Sequence, residues 1–204
     1  MACHHGGGEH AHVLAAHKDI TSVLGQLVRA VGPAGWTRPT PCSEWNVRHL
    51  VNHVTAELLW VAPLMLGGTP ASVGRRFDGD VLGRNPVGMW YLAADTAVPA
   101  FSRAGALDRL VHLTYGTRDA LGYCRELTAE LTVHTWDLAR ALGGAWDSPS
   151  ATTVALAMDE FRSYRHLPES GRFAAPSPVD PQADALTRLA ALAGRDPNWL
   201  VAHG

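Results

Sequence analysis

The sequence predicts an all-α, mainly helical fold built as one globular domain. In several long segments the apolar residues recur at intervals of three and four, which is the spacing of an amphipathic helix. Glycine and proline end these segments, as expected at helix termini. The 204 residues are 47% hydrophobic and 18% charged, a composition typical of a globular chain with a substantial core.

Two helices are predicted in the first third of the chain. Residues 10–31 form the first apolar stripe, which ends at a glycine–proline pair. Ser43 is the predicted N-cap of the second helix, and Glu44 lies in its first turn, where the helix dipole favours negative charge. This helix is expected to run to about Leu66 and to bend near Pro63.

The rest of the chain is predicted to alternate between helices and loops. Residues 119–142 have the strongest helical pattern, and a glycine pair ends it. Residues 109–115 alternate in polarity and predict a short strand. The other predicted elements are a loop over 69–86, a third helix over 87–103, a fifth helix over 148–164 capped by Ser148 or Ser150, an extended segment over 171–183, and a short final helix over 184–193 capped by Asp184.

The N-terminus is rich in histidine, since five of the 11 histidines lie within the first 17 residues. A His-rich segment can bind metal ions, but the three consecutive glycines beside it favour a frayed terminus. We therefore predict a His-rich tail over residues 1–12 and a single domain over residues 13–204.

Composition and charge exclude several classes of function. A net charge of -2 leaves no basic surface for a nucleic acid. The longest apolar run, residues 58–66, is too short to cross a membrane, and the start of the chain lacks the apolar segment of a signal peptide. Three cysteines without a CxxC pair argue against a disulfide framework and indicate the cytoplasm. The expected partners are small molecules, and the chain is expected to be a monomer or a homodimer.

The segment ELTVH on the fourth predicted helix places Glu130 and His134 one turn apart on the same face. Such a pair can share a metal ion, although many helices carry one as a solvated interaction. Its flanking residues are largely leucine and alanine, and a charged group on an apolar face requires a partner or a metal. Asp137 can orient a liganding His134, or it can form a surface ion pair with Arg140 or Arg125.

A third ligand must come from another helix. His53 lies among apolar residues of the second helix and is the preferred candidate. A competing site would use His49, His53 and Glu57, which are spaced four residues apart, and His112 in the predicted strand is a further candidate. Two imidazoles and one carboxylate leave coordination positions open, as in a catalytic metal site.

Cys42 and Cys124 are predicted to be neither metal ligands nor nucleophiles. Neither has a histidine within four residues, and the adjacent Arg125 points away from Cys124 on the same helix. Both are expected to pack as small buried hydrophobic residues.

Several ordered blocks carry a family resemblance that extends from about residue 15 onward. They resemble the mycothiol-dependent maleylpyruvate isomerase-like proteins of the DinB-like superfamily, including its metal-binding subgroup. The blocks are TPCSEWNVRHLVNHV (40–54), FDGDVLGRNPVGMW (77–90), VHLTYG (111–116), LTAELTVHTWDLARALG (127–143), and the GRFAAPSPVD and LAGRDP segments near the end of the chain.

This resemblance implies an up-and-down four-helix bundle with one divalent metal ion, usually zinc, in a pocket at one end. The ligands carried over are His53, Glu130 and His134. Glutamate at 130 matches the isomerase pattern, whereas many relatives of the metal-binding subgroup have aspartate there. The isomerase also carries a separate C-terminal domain, whereas about 40 residues follow the fifth predicted helix here.

The function implied is a metal-dependent enzyme that uses a low-molecular-weight thiol such as mycothiol, for transfer to or isomerisation of an electrophilic small molecule. Two alternatives stay open: another metal-assisted reaction, hydrolytic or lyase-type, and a non-catalytic metal or small-ligand binding protein. Nickel, iron or manganese would also suit the mixed ligands. The residues expected to shape the substrate pocket are Arg48, Trp60, Tyr91 and Tyr115.

Overall fold

The structure is a computed structural model that describes residues 5–164 and 174–200. The described part is mainly helical, with one two-stranded hairpin. The helices are α1 (His5–Ala30), α2 (Val47–Met65), α3 (Pro70–Val73), α4 (Pro86–Ser102), α5 (Ala120–Leu142), α6 (Ala151–Ser163) and α7 (Ala185–Leu192), and the strands are β1 (Leu110–Leu113) and β2 (Gly116–Asp119).

Four long helices form the bundle that the family resemblance implies. Helix α1 packs on α4 and α5, and α2 also packs on α4 and α5, so each of the four contacts two others. Their apolar stripes meet in one core, where large side chains such as Leu24, Leu58, Trp90 and Leu131 are fully buried. A second apolar cluster joins α5 to α6 and α7.

Helix α5 is the central element because it is covered by the bundle on one side and by α6 and α7 on the other. Most of its residues are buried, including two carboxylic acids, Glu130 and Asp137, and one histidine, His134. Burying such groups is unfavourable unless they find polar partners, so the sequence of α5 requires a polar site inside an otherwise apolar interior.

Helix α1 begins at His5, five residues earlier than the pattern of apolar residues predicts. Extending an existing helix needs no new nucleus, and each glycine costs only about 1 kcal/mol relative to alanine. Residues 5–12, predicted as a tail, are therefore helical.

Helix α2 begins at Asn46, not at Ser43 as predicted. The Asn46 side chain accepts a hydrogen bond from the backbone N–H of His49 at 2.9 Å, whereas Ser43 lies in the preceding turn. That turn is fixed by Thr40, whose hydroxyl donates to the carbonyl oxygens of Cys42 and Trp45. The local hydrogen bonds of residues 40–45 thus replace a first helical turn.

The predicted strand is confirmed as β1, but its partner β2 was not predicted. The two strands pair antiparallel, from Leu110 opposite Asp119 to Leu113 opposite Gly116. Residues 116–119 are too short and polar to show an alternating pattern on their own, so only the pairing reveals the second strand. The one-turn helix α3 lies within the predicted loop over 69–86.

The remaining helices match their predictions within a few residues. Ser150 caps α6, Asp184 caps α7, and Asp119 caps α5. Among the described residues, no helix combines the length and apolarity needed to span a bilayer. The predicted extended segment over 171–183 lies partly outside the described residues.

Candidate metal centre

His53 of α2 and the pair Glu130 and His134 of α5 converge at one site. One potential ligand atom from each lies within 4.8 Å of those of the other two. The Nε2 atom of His53 is 2.9 Å from Oε1 of Glu130, and the two imidazole rings are 5.2 Å apart between centroids. The helical spacing of four residues places Glu130 and His134 on the same face of α5, and the packing of α2 on α5 adds His53.

Trp45 covers the two imidazoles from the turn before α2. Its ring centroid lies 4.8 Å from that of His53 and 5.8 Å from that of His134, and its plane is inclined by 30° to the His134 ring. The indole thus restricts both rings. Sequence reasoning did not single out Trp45, although it lies within the first of the family-like blocks.

Asp137 orients the imidazole ring of His134 through a hydrogen bond. The Nδ1 atom of His134 is 3.0 Å from Oδ2 of Asp137, and because a carboxylate only accepts, Nδ1 carries the proton and Nε2 has the free lone pair. Burial lowers the pKa of His134, against the opposing effect of Asp137, so the ring is neutral at neutral pH. A neutral imidazole is the form that binds metal ions.

Arg195, from the turn after α7, neutralises Asp137. Its Nε and Nη2 atoms lie 3.0 and 2.9 Å from the two carboxylate oxygens. Burial opposes the ionisation of Asp137, but the hydrogen bond from His134 and the charge of Arg195 hold the pKa of its carboxyl below the ordinary value. Both groups are buried, so this is an internal ion pair.

The alternative prediction, a surface ion pair of Asp137 with Arg140 or Arg125, is wrong for both partners. Arg140 stacks on the ring of Trp136 at 4.9 Å, and Arg125 donates to Glu160 on α6. The true partner lies 58 residues away in the chain. A helical pattern cannot predict such a contact, and the only signal was the LAGRDP block, which contains Arg195.

Cys42 lies closer to the site than the sequence indicates. Its Sγ atom is 2.9 Å from Nη2 of Arg195 and 3.6 Å from Oδ2 of Asp137, so its surroundings are polar, not apolar as expected. Burial and the charge of Asp137 raise the pKa of its thiol to about 12, despite Arg195, so the thiol is protonated. Cys124 lies in the apolar core, where burial raises its pKa to about 12.

The described residues contain two groups of side chains with metal-ligand spacing, the His53 trio and a second group of Cys42, His134 and Asp137. In the second group Arg195 donates to both the Asp137 carboxylate and the Cys42 thiol, and a metal ion there would have to displace this guanidinium. The competing row of His49, His53 and Glu57 is not among the groups of described residues whose ligand atoms lie within 4.8 Å of one another, and His49 is exposed. His112 is exposed on the hairpin and bonds to Thr117.

Two cavities adjoin the trio and share part of their walls. The first, of about 670 Å³, opens over the ligand atoms and is also lined by Cys42, Trp45 and Arg195. The second, of about 440 Å³, lies toward the hairpin. Both are lined by Glu57 and Glu130, so these two carboxylates lie at the junction.

The four residues proposed to shape a substrate pocket divide into two pairs. Trp60 and Tyr115 line the second cavity. Arg48 is held by Asp80 at 2.8 Å, and the hydroxyl of Tyr91 donates to a backbone carbonyl of α1. Neither Arg48 nor Tyr91 lines either of these two cavities.

A family model described as the mycothiol maleylpyruvate isomerase N-terminal domain matches residues 17–139, which is more than half of the chain and includes all three residues of the trio. The chain belongs to this family. It is also similar to two uncharacterized proteins of Mycobacterium tuberculosis, from strains CDC 1551 and H37Rv. Each is 27% identical over 184 residues, covering 89% of this chain and 97% of its own length. No solved structure matches the chain significantly. The family resemblance inferred from the sequence blocks is therefore confirmed, while Arg195 lies outside the matched residues.

Proposed function

We propose that this chain binds one divalent metal ion, most suitably zinc, through His53, Glu130 and His134, and uses a low-molecular-weight thiol such as mycothiol to modify an electrophilic small molecule. The observation that carries the proposal is the convergence of two imidazoles and one carboxylate at the floor of an open cavity. The family's link to mycothiol supports the choice of thiol.

The residues present fit such an ion. Donors at bond lengths of about 2.0–2.2 Å around a tetrahedral ion lie about 3.4 Å from one another. The trio, with its atoms within 4.8 Å and one contact at 2.9 Å, needs only small side-chain rotations to reach this spacing. When bound, the ion supplies a Lewis acid that lowers the pKa of a thiol or polarises a carbonyl.

The chain's own residues prepare the site. Asp137 holds the His134 proton on Nδ1, and Arg195 holds Asp137 as a carboxylate. Trp45 limits the motion of both imidazoles and covers them from one side. Burial and Asp137 raise the pKa of the Cys42 thiol to about 12, which disfavours this thiol as a nucleophile, so the proposal assigns that role to the cosubstrate.

Cobalt substitution tests the proposal, because a thiolate bound to Co²⁺ produces a charge-transfer absorption in the near ultraviolet. We expect the Co²⁺-loaded protein to develop this band when mycothiol is added, and His134→Ala to lose it. Cys42→Ser is the matched control, since it removes the one thiol near the site among the described residues and should keep the mycothiol-dependent band.

Other outcomes would contradict the proposal. A band that is present without mycothiol and is lost in Cys42→Ser would make the protein cysteine the ligand. Turnover of a substrate without any thiol would replace the proposal by a hydrolytic or lyase-type reaction. A bound metal whose spectrum no thiol or substrate changes would indicate a non-catalytic binding protein.

A further inference from the structure

We infer that the chain has a second binding site, on the side of α5 away from the metal centre, which takes a small aromatic zwitterion such as an aromatic amino acid. The site is an open cavity of about 660 Å³ between the end of α5, α7 and the segments that follow these two helices. It shares no lining residue with the two cavities at the trio. The inference is therefore independent of the proposed function.

Helix α5 presents this cavity and the metal centre on different faces. Successive residues of a helix are about 100° apart, so Trp136 lies about 160° and Arg140 about 120° around α5 from His134. Both Trp136 and Arg140 line the cavity. A ligand bound there would not contact the three candidate metal ligands.

The walls of the cavity supply aromatic and apolar surface for a ring. The partly buried indoles of Trp146 and Trp199 line it, and Leu186 and Leu200 add aliphatic surface. An aromatic ring gains apolar burial and ring–ring contact from walls of this kind.

Arg140 is a half-buried cation in the wall, and no anion contacts it among the described residues. Its guanidinium lies 4.9 Å from the ring of Trp136, and its Nη2 atom donates to the carbonyl oxygen of Pro197 at 3.4 Å. The stacking restricts the guanidinium, while one long hydrogen bond leaves most of its five N–H donors for a ligand. A carboxylate matches this planar fork of donors.

Asp184 adds a negative charge to the same cavity. Burial opposes its ionisation, but the hydrogen bonds from Thr187 and the charge of Arg140 hold the pKa of its carboxyl below the ordinary value. Asp184 and Arg140 thus attract each other without an ion-pair contact in the described part of the chain. Opposite charges that line one cavity without pairing complement a ligand that carries both an ammonium and a carboxylate group.

One buried indole connects the two charged groups. The face of Trp136 supports Arg140, and its Nε1 atom donates to the hydroxyl of Thr187 at 3.2 Å. That hydroxyl donates in turn to Asp184 at 2.7 Å. Trp136 and Thr187 are both buried, so the cation and the anion are held by a common support before any ligand binds.

Three probes with the same phenyl ring test the inference on the purified protein: phenylalanine, hydrocinnamate and phenethylamine. They differ in the charged groups that they carry, and calorimetry measures their binding. We expect phenylalanine to bind about threefold more tightly than hydrocinnamate, since an ion pair with the exposed Asp184 contributes little. It should bind about tenfold more tightly than phenethylamine, which lacks the carboxylate for the half-buried Arg140.

Variants assign each charge to its partner. Arg140→Gln should weaken phenylalanine and hydrocinnamate by about tenfold and should not weaken phenethylamine. Asp184→Asn should weaken phenylalanine by about threefold and should not weaken hydrocinnamate. Asparagine also caps helices, so this variant keeps the start of α7. The exposed Arg29→Gln and Asp95→Asn are the matched controls and should change no affinity.

Several results would overturn the inference. They are hydrocinnamate or phenethylamine binding as tightly as phenylalanine, no binding of any probe, and an unchanged affinity of Arg140→Gln for phenylalanine. Because amino acids can chelate metal ions, His134→Ala is tested as well and should bind phenylalanine like the wild-type protein. Loss of phenylalanine binding in His134→Ala would place the ligand at the metal centre and would also contradict the inference. The cobalt–mycothiol band is measured separately, so a failure here is distinguishable from a failure of the proposed function.

Discussion

His17 on α1 is a buried imidazole that makes the stability of the bundle depend on pH. Its Nδ1 atom is 3.1 Å from the hydroxyl of Thr128, its ring packs edge-on against Phe101, and its Nε2 has no hydrogen-bond partner among the described residues. Burial lowers its pKa from 6.5 to about 4, so the folded protein keeps this ring neutral where the unfolded chain would protonate it.

This difference predicts a loss of stability in acid. The unfolded state binds a proton at His17 below pH 6.5 and the folded state does so only near pH 4, so the free energy of unfolding should fall by about 3 kcal/mol across that window. His17→Leu should remove this part of the pH dependence in denaturant titrations at pH 7, 5 and 4. The exposed His49→Gln should retain it. Parallel curves for the wild-type protein and His17→Leu would contradict the assignment.

The residues of the candidate site differ in how well the sequence could predict them. Glu130 and His134 could be found because one helix carries both, and helical spacing fixes their common face. His53 could be found because it lies on the apolar side of a second helix. Trp45 and Arg195 could not, since each reaches the site from an irregular turn whose position depends on tertiary packing.

At the scale of secondary-structure elements, the N-cap of α2 in the structure differs from the one that the sequence predicts. Both Ser43 and Asn46 are good capping residues, and the pattern alone favoured the first. The structure uses Asn46, since residues 40–45 are already held by the hydrogen bonds of Thr40. The start of α2 determines where the Trp45 indole lies relative to the imidazoles.

Two alanine variants separate these caps. Asn46→Ala should lower the free energy of unfolding by about 1 kcal/mol, because the backbone N–H of His49 loses its acceptor. Ser43 is also a residue type that caps helices, but it does not cap α2. Ser43→Ala should therefore lower the free energy of unfolding by less than about 0.5 kcal/mol. Denaturant unfolding of both variants measures the difference. A larger cost for Ser43→Ala would restore the cap that the sequence predicted.

At the scale of the whole molecule, the bundle supplies the rigid part of the site and the irregular segments complete it. Helices α2 and α5 position the trio, while the turn before α2 and the turn after α7 add Trp45, Cys42 and Arg195. The helical class and most helix bounds could be predicted because local periodicity and caps determine them. The strand β2 and the contact of Arg195 with Asp137 could not be predicted, because both depend on pairing between segments.

The central claim is that the trio holds one ion, and metal analysis of purified protein tests it most directly. The count is made with His4, His5, His10 and His12 replaced by asparagine, because a His-rich segment can bind metal ions by itself. In this background we expect about one zinc ion per chain. Adding the substitution His49→Ala should leave that zinc content unchanged. His53→Ala, Glu130→Ala and His134→Ala should lose it, and Asp137→Asn should bind it about 10–100-fold more weakly. Zinc retained by the His53 and Glu130 variants, or lost only with Cys42→Ser, would contradict the account.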